Sequence, residues 1–293
     1  MADGVGPGTG SGRAAGQGHE ESNPEYDWSW TDERDGWVPP PIDLTKPSAA
    51  RMYDYLLGGK DNWPVDREAV AQVESLLPDM RELGRANRAF LVHAVRSFTA
   101  SGVRQFLDLG TGIPTSPSVH EVAREAFPDA KVVYVDNDPV VMSHNRALLA
   151  KDPNLLALLR DIRNPAEVLD DPQVRATLDF EQPIALLFLS VLHFVHYDVA
   201  PEIVARYRDA LPSGSWIAIS VGTTEGVDPA VAARVHAVYR GSTSSTFGLS
   251  RAQVERLFEG FELNEDGLVD ARAWRTDSKP VTTTMLCGIA RKP

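Results

Sequence analysis

The sequence predicts a doubly wound α/β sheet preceded by a helical segment, and three observations predict it. From Arg104 onward, short apolar or β-prone runs at 105–109, 131–135, 155–159, 184–189 and 216–221 alternate with helical stretches. That alternation marks a mostly parallel sheet with helices on both faces. The runs 184–189 and 216–221 are apolar at successive positions, as strands in the middle of such a sheet must be. Gly110-Thr-Gly112 stands directly between the first run and a helix, where a doubly wound sheet turns its backbone toward a ligand.

Residues 1–42 are expected to form a disordered or loosely docked tail, because 1–18 is mostly Gly, Ala and small polar residues with little to bury. Trp28, Trp30 and Trp37 interrupt it and read either as docking on the folded body or as a partner-binding patch. Residues 43–101 read as helical, with no strand signal. Ser48 is a candidate cap for a helix over 49–57, and Gly58-Gly59 can end it. Pro64 suits a first helical turn, with Val70, Val73, Leu76 and Leu77 on one face. A longer helix over 85–99 turns Phe90, Leu91, Ala94, Val95 and Phe98 inward.

In the third segment, 102–293, helices are expected near 118–126, 139–149, 164–169, 201–210, 229–239 and 250–258. The last two strands, 261–263 and 282–290, have no helix between them, so a hairpin-like pair is expected with one strand antiparallel to the rest.

The formal net charge of −12 opposes a phosphate backbone, so a nucleic-acid partner is not expected. No apolar run is long enough to span a bilayer, and the N-terminus lacks the charged and apolar stretches of a secretory signal. One cysteine, Cys287, forms no disulfide within the chain, and the setting expected is cytoplasmic. The seven histidines are scattered without metal-ligand spacing, so no metal is expected. Oligomeric state is not legible.

The site residues follow the strand ends. Asp136 closes the second strand, where a carboxylate accepts hydrogen bonds from both hydroxyls of a ribose; a solvated strand-end acid is the alternative. Asp161 follows the third strand, placed for the exocyclic amine of a purine with Ile162 packing on its face; a helix cap before Asn164-Pro165 is the alternative. The fourth strand runs into Ser190, His193 and His196, and either imidazole is a candidate base or a structural histidine. Two cofactors compete for the glycine turn. A dinucleotide loop wants a third glycine, but Ile113 and Pro114 follow, and proline has no N–H for a phosphate. Asp108 also repels a pyrophosphate and suits a ligand with cationic groups. That favours S-adenosylmethionine, which carries an ammonium and a sulfonium.

The segment Phe106-Leu-Asp-Leu-Gly-Thr-Gly-Ile-Pro114 resembles the first motif of class I methyltransferases. More narrowly, the chain resembles an actinobacterial S-adenosyl methyltransferase family, long catalogued as a domain of unknown function. The matching segments are Ala49-Ala-Arg-Met-Tyr-Asp-Tyr-Leu-Leu-Gly-Gly-Lys-Asp-Asn62, Arg85-Ala-Asn-Arg-Ala-Phe-Leu91, the glycine motif and Val132-Val-Tyr-Val-Asp-Asn-Asp-Pro139. The resemblance covers about residues 43–293. It implies a Rossmann-like sheet of seven strands, the last antiparallel, under an N-terminal helical lid. It implies that Gly110, Thr111 and Gly112 flank the methionine part of the cofactor, with Asp108 nearby. Asp136 and Asn137 would meet the ribose, Asp161 and Ile162 the adenine, and Ser190 the sulfonium. Tyr53, Tyr55 and the loop Gly58, Gly59, Lys60, Asp61 and Asn62 are lid candidates for cofactor or substrate contacts; packing, a helix end and a solvated charge are their alternatives. Arg51, Asn87 and Arg88 are weaker candidates. The expected reaction is direct methyl transfer to an unidentified small-molecule acceptor. The rival readings are a non-catalytic cofactor-binding regulator and a nicotinamide-dependent oxidoreductase.

Overall fold

The computed structural model describes residues 42–149, 152–274 and 284–293, all within the compact unit Val38–Pro293. The expectations for the tail and its three tryptophans lie outside the described residues.

Three helices come first: α1 (Ala49–Leu57), α2 (Pro64–Leu76) and α3 (Met80–Ala100). Five parallel strands follow, β1 (Gln105–Leu109), β2 (Lys131–Asp136), β3 (Leu155–Leu159), β4 (Ala185–Leu189) and β5 (Trp216–Thr223). Between them lie α4 (Val119–Arg124), α5 (Pro139–Leu149), α6 (Pro165–Leu169), α7 (Pro172–Thr177) and α8 (Ala200–Asp209). After β5 come α9 (Pro229–Arg240), α10 (Arg251–Arg256), and the strands β6 (Glu262–Leu263), β7 (Val269–Asp270) and β8 (Thr284–Arg291).

The strand order is β3-β2-β1-β4-β5-β8-β6, with β7 also paired to β8. β8 lies between β5 and β6, antiparallel to both. The expected antiparallel strand is therefore present, in a sheet of eight rather than seven strands. The additional strand, β7, has two residues and thus no readable alternation.

Alternation builds two cores. Leu107, Leu109, Val133 and Val135 face one side, against α6, α7, α8 and α10. Phe106, Val132 and Tyr134 face the other, against α3, α4 and α5. Phe90, Ala94 and Phe98 of α3 belong to that second core, so α3 is a layer of the sheet. A third cluster joins α1 and α2 to Tyr239 of α9, and these helices stand over the carboxyl ends of the strands.

Ser48 does not cap α1 through its side chain. Its hydroxyl donates to Asp138 Oδ2 at 2.5 Å, and its N–H donates to Asp66 Oδ1 at 2.8 Å. It therefore ties the helical roof to the end of β2.

Candidate functional site

A cavity of about 1040 Å³ opens where the strand order reverses, bordered by the ends of β1, β2, β4 and β5 and by α1, α3 and α9. Ligands of doubly wound sheets bind at this position. Among the described residues no group of acids, histidines and cysteines is placed to hold a metal.

The glycine turn is fixed from both sides. Gly110 and Thr111 donate their N–H groups to the Val135 carbonyl at 2.8 and 3.1 Å. Gly110 has φ 81°, and a Cβ there would stand 2.3 Å from Val191 Cγ2, so conformation and space both require glycine. Gly112, φ 67°, donates its N–H to Asp136 Oδ2 at 2.9 Å. Asp136 Oδ1 accepts the Asp138 N–H at 2.9 Å.

Burial pushes the Asp108 carboxyl up to about 7, against the pull of the Thr111 hydrogen bond and the Arg88 guanidinium. Burial likewise pushes Asp136 up to about 6, opposed by the Gly112 and Asp138 N–H groups. Arg88 lines the same cavity; its Nη2 donates to the Thr115 carbonyl at 2.8 Å, while its buried Nε has no partner among the described residues.

Asp161 and Ile162 also line the cavity. Asp161 is not a helix cap: Asn164 holds that position, and the Asp161 carboxylate is clasped by Arg163 Nε at 2.9 Å. Burial raises the Asp161 carboxyl, but the Arg163 hydrogen bonds outweigh it and hold the group below the usual range. Asn137 is an exposed lining residue beside it.

Ser190 has φ 58°, the one positive value outside glycine among the described residues. Such a conformation persists only where its surroundings enforce it. Its N–H donates to both the carbonyl and the hydroxyl of Ser220 at 2.9 Å. Ser220 Oγ in turn donates to Asn87 Oδ1 at 2.5 Å, Asn87 Nδ2 donates to Tyr53 Oη at 2.8 Å, and Tyr53 donates to the Gly84 carbonyl at 3.3 Å. One polar chain thus runs from α1 through α3 to the ends of β4 and β5. It involves Asn87 and Tyr53 from the matching N-terminal segments, and Tyr53 lines the cavity.

Ala49, Ala50 and Leu56 of the N-terminal motif line the cavity too, but the end of the motif lies elsewhere. Tyr55, Gly58, Gly59, Lys60, Asp61 and Asn62 do not line the cavity, which corrects the expectation for them. Tyr55 packs under the Arg81 guanidinium, 4.9 Å from its ring centroid. The loop wraps Asp54: the Asp61 N–H and Asn62 Nδ2 donate to its Oδ2 at 3.0 and 2.7 Å. Gly58 ends α1 at φ 86°, and a Cβ on Gly59 would lie 1.9 Å from Asp54 Oδ1. The motif's glycines therefore shape a turn.

The two candidate bases separate. His193 lines the cavity, and burial pushes its imidazole down to about 4. His196 is not a lining residue; its side chain is 46% exposed and its Nδ1 accepts the Asp198 N–H at 3.3 Å. It follows the tight turn at Leu192–Phe194, which carries it out to the surface. Sequence reasoning missed His236. It stands with Ala232, Val235 and Tyr239 on one stripe of α9, all lining the cavity, and that helical spacing was the available signal.

A doubly wound sheet with an inserted antiparallel strand, a glycine turn after β1 and a carboxylate at the end of β2 define a class I, S-adenosylmethionine-binding methyltransferase. The family model of S-adenosyl methyltransferases matches residues 35–293. A solved DUF574 family protein of Streptomyces avermitilis is 40% identical with a TM-score of 0.81, the match covering 86% of this chain and 100% of that one. A protein of Thermobifida fusca, provisionally assigned as a methyltransferase, is 40% identical with a TM-score of 0.79, covering 87% of this chain and 98% of its own. Magnesium protoporphyrin IX methyltransferase of Synechocystis, solved with S-adenosylhomocysteine, shares the fold at 11% identity and a TM-score of 0.50, covering 83% of this chain and 93% of that one. No curated protein matches the chain. The chain belongs to the S-adenosyl methyltransferase family, its cofactor is S-adenosylmethionine, and it is a methyltransferase.

Proposed function

We propose that this methyltransferase acts on a small molecule by direct displacement, with the cofactor lying across the ends of β1 to β4. The carrying observation is the cavity's polarity. Asp108, Asp136, Asp138 and Asp161 all border it at the ends of the first three strands, while the part from Ser190 onward contributes no carboxylate.

The residues fit the cofactor. Each Asp136 oxygen takes one N–H and keeps a lone pair for a ribose hydroxyl. Asp108 supplies a counter-charge for the ammonium. The orphaned Nε of Arg88 is a donor for the carboxylate of the methionine part. Gly110, Thr111 and Gly112 leave room for that part, Asn137 borders the ribose, Asp161 and Ile162 border the adenine, and Ser190 borders the sulfur. Bound there, S-adenosylmethionine supplies an electrophilic methyl on a sulfonium. The protein's task is then alignment and exclusion of water, and alignment alone reaches effective molarities of about 10⁵–10⁸ M.

The net charge of −12 supports an acceptor other than nucleic acid. No described helix is long and apolar enough to cross a membrane. The single cysteine, buried in β8, suits the cytoplasmic setting we propose.

Two measurements test this reading. With methyl-labelled S-adenosylmethionine and a cell extract, label should enter the low-molecular-weight fraction; label confined to RNA or protein would contradict a small-molecule acceptor. Label in no fraction while the cofactor still binds would likewise contradict a small-molecule acceptor in that extract. Calorimetry across pH 5 to 8 should show S-adenosylhomocysteine affinity falling as pH drops, because Asp108 titrates near 7 and Asp136 near 6 and only their ionised forms pair with the ligand. Each required ionisation contributes a loss that approaches about tenfold per pH unit below its own value. A flat profile would contradict the assignment of these two acids.

A further inference from the structure

Beyond Ser190 the cavity holds two imidazoles whose protons the backbone fixes in opposite ways. His236 Nδ1 lies 2.6 Å from the Thr246 carbonyl oxygen. A carbonyl only accepts, so Nδ1 carries the proton and Nε2 keeps its lone pair. His193 is the reverse: the Gly222 N–H donates to its Nδ1 at 3.4 Å, which puts the proton on Nε2. Neither Nε2 has a hydrogen-bond partner among the described residues. Both rings line the cavity, and one segment holds both. Thr246 supplies the carbonyl for His236, and the Phe247 N–H donates to the His193 carbonyl at 2.6 Å.

Charge narrows what this half can take. From Ser190 onward the lining contributes no carboxylate, and its one charged side chain is the exposed Arg240. An ammonium desolvated here meets no counter-charge. Phe194, Val195, Val235, Tyr239 and Phe247 supply apolar surface, beside the uncharged hydroxyl residues of 243–246. A neutral, largely apolar molecule with one hydroxyl satisfies both imidazoles: its O–H donates to His236 Nε2, and its oxygen accepts from His193 Nε2–H.

Resting on the methyltransferase reading above, we propose that this half of the cavity binds an apolar hydroxyl compound, with His236 as the base and His193 as the donor to the reacting oxygen. As the O–CH₃ bond forms, the S–CH₃ bond breaks and leaves its electron pair on sulfur. The hydroxyl proton passes to His236 Nε2 and then to solvent. The developing negative charge on oxygen is met by the His193 N–H. His193, expected from the sequence as a base, becomes the donor, because the Gly222 N–H occupies its other nitrogen.

The test uses the full chain saturated with S-adenosylhomocysteine, whose own binding is followed by calorimetry. Nitrogen NMR should find the proton of His236 on Nδ1 and that of His193 on Nε2. β-Naphthol should bind at least about tenfold tighter than naphthalene, the preference that two hydrogen bonds of about 1 kcal/mol each supply. His236→Phe should erase that preference and leave the affinity for S-adenosylhomocysteine unchanged. Reversed protons, no preference for β-naphthol, or a preference that survives His236→Phe would each overturn the proposal while leaving the cofactor assignment standing. Absence of S-adenosylhomocysteine binding by folded protein would overturn the cofactor assignment itself, and the proposal with it.

Discussion

Replacing Asp136 with alanine is expected to lower S-adenosylhomocysteine affinity by about 100-fold or more. Hydrogen bonds to a charged group contribute about 1.5–3 kcal/mol each, and two ribose hydroxyls would lose their acceptor. The variant should lose binding without a matching loss of stability. The folded carboxyl sits at about 6, above its ordinary value of 3.8, because burial opposes its charge. For a carboxyl raised in this way, the favourable contribution to folding is present below the unfolded value and is lost as pH rises through the folded one. At neutral pH the ionised Asp136 therefore opposes folding, and removing it offsets the loss of the hydrogen bonds from Gly112 and Asp138. Calorimetry and a thermal melt on one sample check both halves. Wild-type affinity in the variant would remove Asp136 from the site.

The largest effect on stability should come from Asp66. Its carboxylate is fully buried beside Arg51, itself 2% exposed, with Nε to Oδ2 at 2.8 Å. The same carboxylate accepts the Ser48 and Trp63 N–H groups, each at 2.8 Å, and Arg51 lies over the Trp63 ring at 4.1 Å. Breaking a buried pair from one side costs about 3–5 kcal/mol, since the remaining charge stays uncompensated. Asp66→Ala should therefore lower Tm by roughly 6–20 °C, taking about 2–4 °C per kcal/mol for a chain approaching this size. The double variant Arg51→Met, Asp66→Leu should recover much of that, because a well-packed apolar pair replaces the ions at little loss. A single variant that melts within about 2 °C of wild type would mean that the pair is worth far less than buried pairs generally are.

These two residues also show how far the sequence could be read. Asp136 was legible because its position is fixed by a local rule, an acid at the end of the strand after a glycine turn. The same rule brought out Gly110, Asp108 and Asp161. Asp66 was not legible. It stands in the first turn of α2, where an acid is ordinary. Nothing local says that it will be buried beneath Arg51. Asn87 and Ser220 meet across 133 residues, a pairing that no periodicity carries. Gly58 and Gly59 end α1, as the helix pattern predicts, but their loop, a candidate for cofactor or substrate contacts, encloses Asp54 instead. His236 lay on a helical stripe that could have been read, but a histidine on an amphipathic helix is commonplace without a cavity beside it. The parallel strands were legible as apolar or β-prone runs alternating with helices, and β7, with two residues, carried no such run.

A crystal structure of this chain with S-adenosylhomocysteine tests the site most directly. Both ribose hydroxyls should lie on the Asp136 carboxylate, the adenine between Asp161 and Ile162, the amino-acid end between Asp108 and Arg88, and the sulfur beside Ser190, facing the half of the cavity that holds His193 and His236. A ligand bound away from the ends of β1 and β2, or a ribose held without Asp136, would contradict it.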